Sequence, residues 1–377
     1  MVINKSLVGI IEEAKKNNYD ILGSKNGVNG IINSKFVELT EISKEKLFLV
    51  ENSPGAALGS TRDKPDKNYC KKILEVLLKK KINTFFYIGG NDSSDSLRII
   101  SEASPDIQCV HVPKTIDNDL VLNDHTPGFG SAAKYVASVF AGINLDINSL
   151  PGVYLGVIMG RHAGFLTAAS SLLKKKITDG PHLIYLPESN FSLDNFLSDV
   201  DNIFIRNQKC IIAVSEGIKF SNGQLVGEII SKLNEKDAHG NIQLSGSSML
   251  GDYLSNQIKI KLGIKRVRAD TLGYAQRSFL GCVSEVDQRE AKKLGKESVK
   301  FSKQYDSSFS ICIKERGRNL NTYSFEIGQN KLIDIGGKTK YMPDYFINRK
   351  KNYVSNSFFK YALPLIGKKF PDFGNLI

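Results

Sequence analysis

The stretch VPKTIDND (112–119) sets one ammonium and two carboxylates within six positions, directly after the apolar run Ile107, Cys109, Val110 and Val112. Pro113 ends that run, since proline fixes φ and donates no ladder hydrogen bond. Phosphoryl transfer to an alcohol needs few parts: a base near the hydroxyl, cations on the transferring and leaving oxygens, a magnesium ion, and a grip on the acceptor. Asp117 can orient or deprotonate a hydroxyl, Lys114 can offset charge on a leaving phosphate, and Asp119 can assist with metal or substrate. Taken singly, each of these residues is better accounted for by a surface turn or an ion pair.

YIGGNDSSDS (87–96) is a strand running into Gly89 and Gly90, then Asn91, Asp92 and Ser93, with a helix expected over 94–103. Glycine lets backbone approach an anion, and the free N–H groups of a helix start add donors and partial positive charge. Phosphate binding follows, although an ordinary tight turn would use the same glycines. VIMGRHAGFLTAAS (157–170) puts Arg161 at a strand-to-helix junction, and RADTLGYAQRS (268–278) adds Arg268 and Arg277. Guanidinium forks match phosphate oxygens. Any one could be a surface salt-bridge partner; several beside glycine-containing junctions point to a phosphorylated substrate. LGKES (294–298) is not a P-loop, because Lys296 is followed by Glu297 and the upstream glycine is missing. GFGSAA (128–133) fits a dinucleotide fingerprint by letter, but no strand precedes it.

These residues must be carried by a frame, and the bulk composition bounds it. The chain has 377 residues, 41% hydrophobic and 24% charged, enough for two lobes with real cores. No run of 18 apolar residues and no signal-peptide pattern occurs, so a cytoplasmic protein without a membrane partner is expected. The five cysteines are widely spaced and read as buried thiols, and the five histidines lack ligand spacing. A net charge of +12 favours anionic partners. Much of the excess sits in lysine runs such as KKILEVLLKKK (71–81), which read as a solvated helix face without interleaved aromatics; nucleic acid is therefore not an expected partner.

NTFFYIGG (83–90), IQCVHV (107–112), VYLGVIMG (153–160), HLIYLPE (182–188) and KCIIAVSEG (209–217) are near-continuous apolar strands, as in a parallel sheet covered on both faces. Helical spacing fills 68–81, 131–142, 163–174 and 193–206. The expected class is α/β, with two doubly wound, mostly parallel lobes. Chemistry-bearing residues stand at the carboxyl ends of the strands, where such sheets bind ligands. The region beyond about 300 looks more β-rich and irregular.

The ordered motifs IGGNDS, PKTIDND, GFGSA, MGRHAGFLTAAS, SEG and RADTLGYAQRS resemble the phosphofructokinase A family, and most of all its diphosphate-dependent branch, over roughly residues 2–290. The resemblance implies a glycolytic, magnesium-dependent kinase moving phosphate reversibly from pyrophosphate to the 1-hydroxyl of fructose 6-phosphate. It makes Asp117 the proton acceptor, with Thr115 and Ile116 beside it. Met159, Gly160, Arg161, Glu216, Tyr274 and Arg277 would hold the sugar phosphate, and Arg268 would reach in from a neighbouring subunit of a homodimer or homotetramer. ATP-using relatives have glycine where Asp92 stands; a carboxylate there would repel and exclude a nucleotide's α-phosphate. Lys114 would stabilise the leaving phosphate, so Asp92 and Lys114 join Asp117 as catalytic residues. Gly89, Gly90, Ser93 and Arg62 are the donor contacts. Asn91 and Asp119 are the candidate magnesium residues, Asn91 being neutral where the branch often carries aspartate.

The implied division is a donor lobe over 1–127, a sugar-phosphate lobe over 128–268, and a return to the donor lobe plus a C-terminal extension over 269–377. VINKSLVGIIEEA (2–14) resembles the helix that follows the family's first strand and glycine loop, so that strand is expected to be missing. Gly152 stands where ATP-type relatives carry a second inter-subunit arginine. Alternatives from other classes are a non-catalytic regulatory paralogue that binds sugar phosphate, and an ATP-dependent 6-phosphofructokinase. Sedoheptulose 7-phosphate is a further possible acceptor.

Overall fold

The computed structural model describes residues 2–234, 247–317, 323–368 and 370. The chain opens with α1 (Ile3–Lys16), the antiparallel pair β1 (Leu22–Ser24) and β2 (Phe36–Glu38) around α2 (Val28–Ile32), then α3 (Lys44–Asn52) and α4 (Lys67–Lys79). β3 (Thr84–Gly89), α5 (Asn91–Ala103), β4 (Gln108–Pro113) and α6 (Phe129–Ser149) follow. Next come β5 (Val153–Ile158), α7 (Phe165–Ala169), β6 (Leu183–Tyr185), α8 (Leu193–Asn207), β7 (Cys210–Ser215), α9 (Val226–Asn234), α10 (Met249–Leu262), β8 (Val267–Thr271) and α11 (Ala275–Ser278). The chain continues through α12 (Glu285–Gln304), β9 (Phe309–Arg316), β10 (Phe325–Lys331), α13 (Leu332–Ile335), the small pair β11 (Ile347–Asn348) and β12 (Tyr353–Val354), and α14 (Asn356–Ile366). No described helix is long and apolar enough to cross a membrane.

Two compact units result: residues 1–131 with 283–340, and residues 132–282 with 341–377. The first boundary falls in the opening turn of α6, four residues after the expected 127/128. The return comes at 283 rather than 269, because β8 hydrogen-bonds β5 and keeps the following segment in the second unit. The described residues from 341 on group with the second unit, not with an extension of the donor lobe. Of the β-rich C-terminal stretch, residues 318–322 lie outside the described residues; β9 and β10 flank them as an antiparallel pair.

The first unit is built on a sheet of order β10-β9-β4-β3, parallel from β9 to β3 with β10 antiparallel at one edge. Its strands are apolar throughout because both faces are covered. Phe85, Tyr87 and Cys109 pack with Ile73, Leu97 and Ile100 of α4 and α5, while Phe86, Ile88, Val110 and Val112 pack with Ile10, Leu294 and Val299 of α1 and α12. Side chains alternate across a pleat, so one strand feeds two cores. α1 crosses α12 at very short range: a Cβ on Gly9 would stand 2.3 Å from the Lys292 carbonyl, and one on Gly295 would stand 2.2 Å from that of Ser6. α1 is the element expected to follow the family's first strand. Among the described residues no strand precedes it, and β3 forms a sheet edge with every residue half-buried.

The second unit carries an all-parallel sheet, β6-β7-β5-β8, whose β5 and β7 are buried at every position. Leu155, Val157, Ile212 and Val214 pack with Phe196, Val200, Leu254 and Ile258 from α8 and α10. All five strands read from the sequence are present; four are trimmed at their ends, while β4 starts one residue later than read and runs through Pro113, which pairs with Gly89 at the sheet's end.

Candidate active site

In the first unit, β3 delivers Gly89 and Gly90 to the start of α5. Gly90 is the N-cap, so the helix begins at Asn91, three residues earlier than the sequence implied. The first N–H groups of a helix lack an intrahelical acceptor and can meet an anion; in α5 the Ser93 N–H already donates to the Gly90 carbonyl at 3.1 Å. Gly89 is required by contact, since a Cβ there would lie 2.1 Å from Ser93 Oγ. Gly90 has room: its Cβ would stand 3.7 Å from that of Thr115 and 3.8 Å from the Lys114 carbonyl. The glycine turn and the Lys114–Thr115 turn are therefore neighbours. Lys114 N–H donates to the Gly89 carbonyl at 2.9 Å.

The same carbonyl is 3.0 Å from His111 Nε2, whose Nδ1 is 2.8 Å from Ser310 Oγ. Burial holds His111 down to about 4, so the ring is neutral at ordinary pH. A carbonyl can only accept, hence Nε2 carries the proton and Nδ1 accepts from the serine. His111 props the turn from beneath; a lone histidine in an apolar strand gave no sign of that task. Asp92, in the first turn of α5, has a side chain 71% exposed, with Lys64 Nζ 4.0 Å away. Arg62 is exposed on the neighbouring 60–66 loop.

The carboxylate turn folds back on itself. Thr115 N–H donates to the Pro127 carbonyl at 3.1 Å and Asp117 N–H to Thr115 Oγ1 at 3.1 Å. Asn118 is fully buried with φ 59°, and its Oδ1 accepts from Thr126 N–H at 3.0 Å. Asparagine tolerates that left-handed backbone because its short amide can bond locally. Gly128 has φ 110°, and a Cβ there would press to 2.8 Å on the Thr115 carbonyl. Buried Asp287 takes the Gly128 and Ser131 N–H groups at 2.8 and 2.9 Å. Ile116 is buried and Asp117 half-buried.

Asp119 Oδ2 accepts from Asn91 Nδ2 at 2.7 Å, which brings together the two residues proposed for magnesium. Burial, and then the charge of Asp117, raises the Asp119 carboxyl to about 6. Asn91 Oδ1 is buried without a hydrogen-bond partner. Among the described residues no group of three or more His, Cys, Asp or Glu could hold a metal by itself.

The second unit gathers the sugar-phosphate candidates at the ends of β5 and β7. Buried Met159 donates its N–H to Gln276 Oε1 at 3.3 Å. Gly160, at φ 136°, donates to Glu216 Oε1 at 3.5 Å, and its carbonyl accepts from Ser215 Oγ at 2.6 Å. A Cβ on Gly217 would meet the Arg161 carbonyl at 2.2 Å. Gly160 is thus bonded to Ser215 and Glu216, Met159 to Gln276, and the neighbouring Arg161 side chain is exposed. The Arg277 guanidinium lies 5.1 Å from the Tyr274 ring centre. Arg268 stands apart from these bonds, exposed on edge strand β8, with Nη1 on its neighbour's carbonyl at 3.1 Å.

Ser215, Gln276 and Glu188 were not singled out by the sequence. Glu188 Oε1 takes the N–H groups of Gly164 and Met342 at 2.9 and 3.0 Å, and burial raises its carboxyl above the usual range. Their signal lay in the motifs themselves, SEG, YAQRS and LPE, but which letter carries structure and which carries ligand is a matter of side-chain direction. Gly152 has a structural reason too, because a Cβ there would lie 2.8 Å from the Arg266 carbonyl.

Known proteins are similar to this chain in sequence and fold. Residues 1–302 match the family described as Phosphofructokinase. The chain is 51% identical over 377 residues to the pyrophosphate–fructose 6-phosphate 1-phosphotransferase of Rhodospirillum rubrum, with 98% of this chain and 92% of that protein covered. It is 31% identical to the sulfofructose kinase of Alkalicoccus urumqiensis, over 93% of this chain and 90% of that protein. The crystal structure of a pyrophosphate-dependent phosphofructokinase from Marinobacter aquaeolei superposes with a TM-score of 0.85 at 29% identity, covering 99% of this chain and 91% of that one. Fold, motif order and full-length similarity agree: this chain belongs to the phosphofructokinase family.

Proposed function

We propose that the protein transfers a phosphoryl group from pyrophosphate to the 1-hydroxyl of fructose 6-phosphate, giving fructose 1,6-bisphosphate and phosphate. The observation that carries the choice of donor is the carboxylate of Asp92 in the first turn of α5, which follows the Gly89–Gly90 corner to which Lys114 N–H is bonded. A helix start favours phosphate, but a fixed negative charge on it disfavours a third phosphate carrying a nucleoside. Lys114 would meet the charge that grows on departing phosphate.

In the reaction, the acceptor oxygen bonds to the transferred phosphorus as the bridging P–O bond breaks. Asp117 takes the hydroxyl proton and passes it to solvent; such a base contributes roughly 10²–10⁴-fold. Arg161 and Arg277 would bind the sugar's phosphate and Glu216 its hydroxyls, with Arg268 supplied by a second copy of the chain. Asp119 and Asn91 fit a magnesium ion that keeps water and phosphate ligands: one carboxylate beside one unpartnered amide oxygen is the sparse protein share such an ion takes. When bound, the ion would neutralise the oxygens of the diphosphate.

Coupled assays with pyrophosphate and with ATP test the donor. Turnover with pyrophosphate and at least about 100-fold less with ATP is expected, and Asp92→Gly should narrow that ratio by about tenfold or more. Equal use of ATP by the unaltered protein would reject the donor assignment. Sulfofructose belongs in the same assay as competing acceptor, because a relative bears that name.

A further inference from the structure

The turn that leaves the carboxylate pair, residues 119–125, is not a low-energy conformation by itself. Leu122 has φ 55° and Asn118, just before it, φ 59°. A leucine held in that left-handed region is strained, so surrounding structure must impose the shape. Much of that is done by one residue far along the chain. Lys340 donates its main-chain N–H to the Asp119 carbonyl at 2.7 Å, while its Nζ donates to the carbonyls of Asn123 and Asp124 at 2.9 and 2.7 Å. A single residue therefore ties the start of the turn to its end. We propose that Lys340 is a positioning residue for phosphoryl transfer, a clamp that fixes where the turn holds Asp117 and Asp119. This rests on the roles assigned to those two carboxylates above.

The surroundings fit a built clamp. Asp124 bonds back to β9 through its N–H to the Ile313 carbonyl at 2.9 Å, and Asn123 Oδ1 accepts from Ile313 N–H at 3.3 Å. The Asp124 carboxylate meets His125 Nδ1 at 2.9 Å and the Arg316 guanidinium, and His125 Nε2 meets Glu290 at 2.8 Å. These contacts anchor the far end; Lys340 carries the anchorage across to Asp119. The ammonium is buried, which is costly unless its donors are used and anionic charge lies near. Asp124 and Asp119 both favour its charged form, and Arg316 opposes it. Displacements of about 1 Å in a reacting group are worth roughly 100-fold in rate, so a clamp two residues beyond Asp117 has leverage on turnover.

The test is Lys340→Met in the full-length protein, assayed with pyrophosphate and fructose 6-phosphate, with thermal unfolding followed in parallel. We expect kcat to fall about 10- to 100-fold, with both KM values within about threefold of the unaltered enzyme. If Lys340→Met does not yield folded protein, Lys340→Gln, which keeps a donor without the charge, is read by the same numbers. An unchanged kcat, or a loss that falls on KM rather than kcat, overturns the clamp. Failure of the unaltered protein to use pyrophosphate would instead reject the reaction proposed above.

Discussion

Asp119 shows how two demands meet in one side chain. Its carboxyl is raised to about 6 by burial and by the charge of Asp117, against an ordinary value of 3.8. A folded-state value above the unfolded one means that the stability this group contributes is fully present below about 3.8 and is lost as pH rises through about 6. A neutral amide cannot ionise and does not suffer that loss. The stability of Asp119→Asn relative to the unaltered protein should therefore improve by about 2 kcal/mol on going from pH 4 to pH 8 in metal-free buffer, while turnover falls. Thermal unfolding of both proteins at the two pH values measures it. A relative stability that stays flat or moves the other way contradicts the assigned environment. A conflict between fold stability and the role proposed for this residue is what a site that gathers like charge would produce.

Elements position these residues through close approach more than through side-chain bonds. β7 ends at Ser215, and three consecutive residues hold the Arg161 turn: Ser215 and Glu216 by hydrogen bonds to Gly160, Gly217 by leaving no Cβ in the way. Gly217→Ala must push the Arg161 backbone aside by more than an ångström, because the new atom would start 2.2 Å from a carbonyl oxygen. Steady-state kinetics should show KM for fructose 6-phosphate raised at least about tenfold, with KM for pyrophosphate within about twofold. The asymmetry follows from the assignment of donor contacts to the glycine turn before α5. Equal effects on both substrates would break that assignment. In the first unit the matching devices are Gly128, wedged over the Thr115 carbonyl, and His111, whose neutral ring bonds the Gly89 carbonyl.

At the scale of the whole molecule, Arg268 is the residue that asks for more than one chain. It is exposed on an edge strand, and its bond within the chain goes to the adjacent carbonyl. If a partner subunit supplies Arg268 to the sugar phosphate, then Asp117→Asn and Arg268→Ala lose activity in different subunits of each site. Mixing the two inactive proteins under conditions that allow subunit exchange should restore turnover that neither has alone. No recovery, with exchange verified by tagged subunits, would place Arg268 within its own chain's site. The net charge of +12 suits small anionic substrates, and it adds a salt dependence of KM common to both.

What the sequence determined by itself was the periodicity and the chemistry. Near-continuous apolar strands could only be covered on both faces, and the structure has Phe85 and Tyr87 in one core with Phe86 and Ile88 in the other. The order of the motifs identified the family and named Lys114, Asp117, Gly160 and Glu216 as candidates. Boundaries were less legible: α5 starts at Asn91 because Gly90 can cap it, and the return to the first unit waits until 283 because β8 is bonded to β5. Tertiary structure alone decided which buried polar groups support the site. His111, Asp287, Gln276 and Lys340 are remote in sequence from the atoms they hold, and nothing in local spacing reveals which carbonyl or N–H a side chain will meet. Those pairings arise only when burial removes water as the alternative partner, a constraint set by the packed chain rather than by any segment of it.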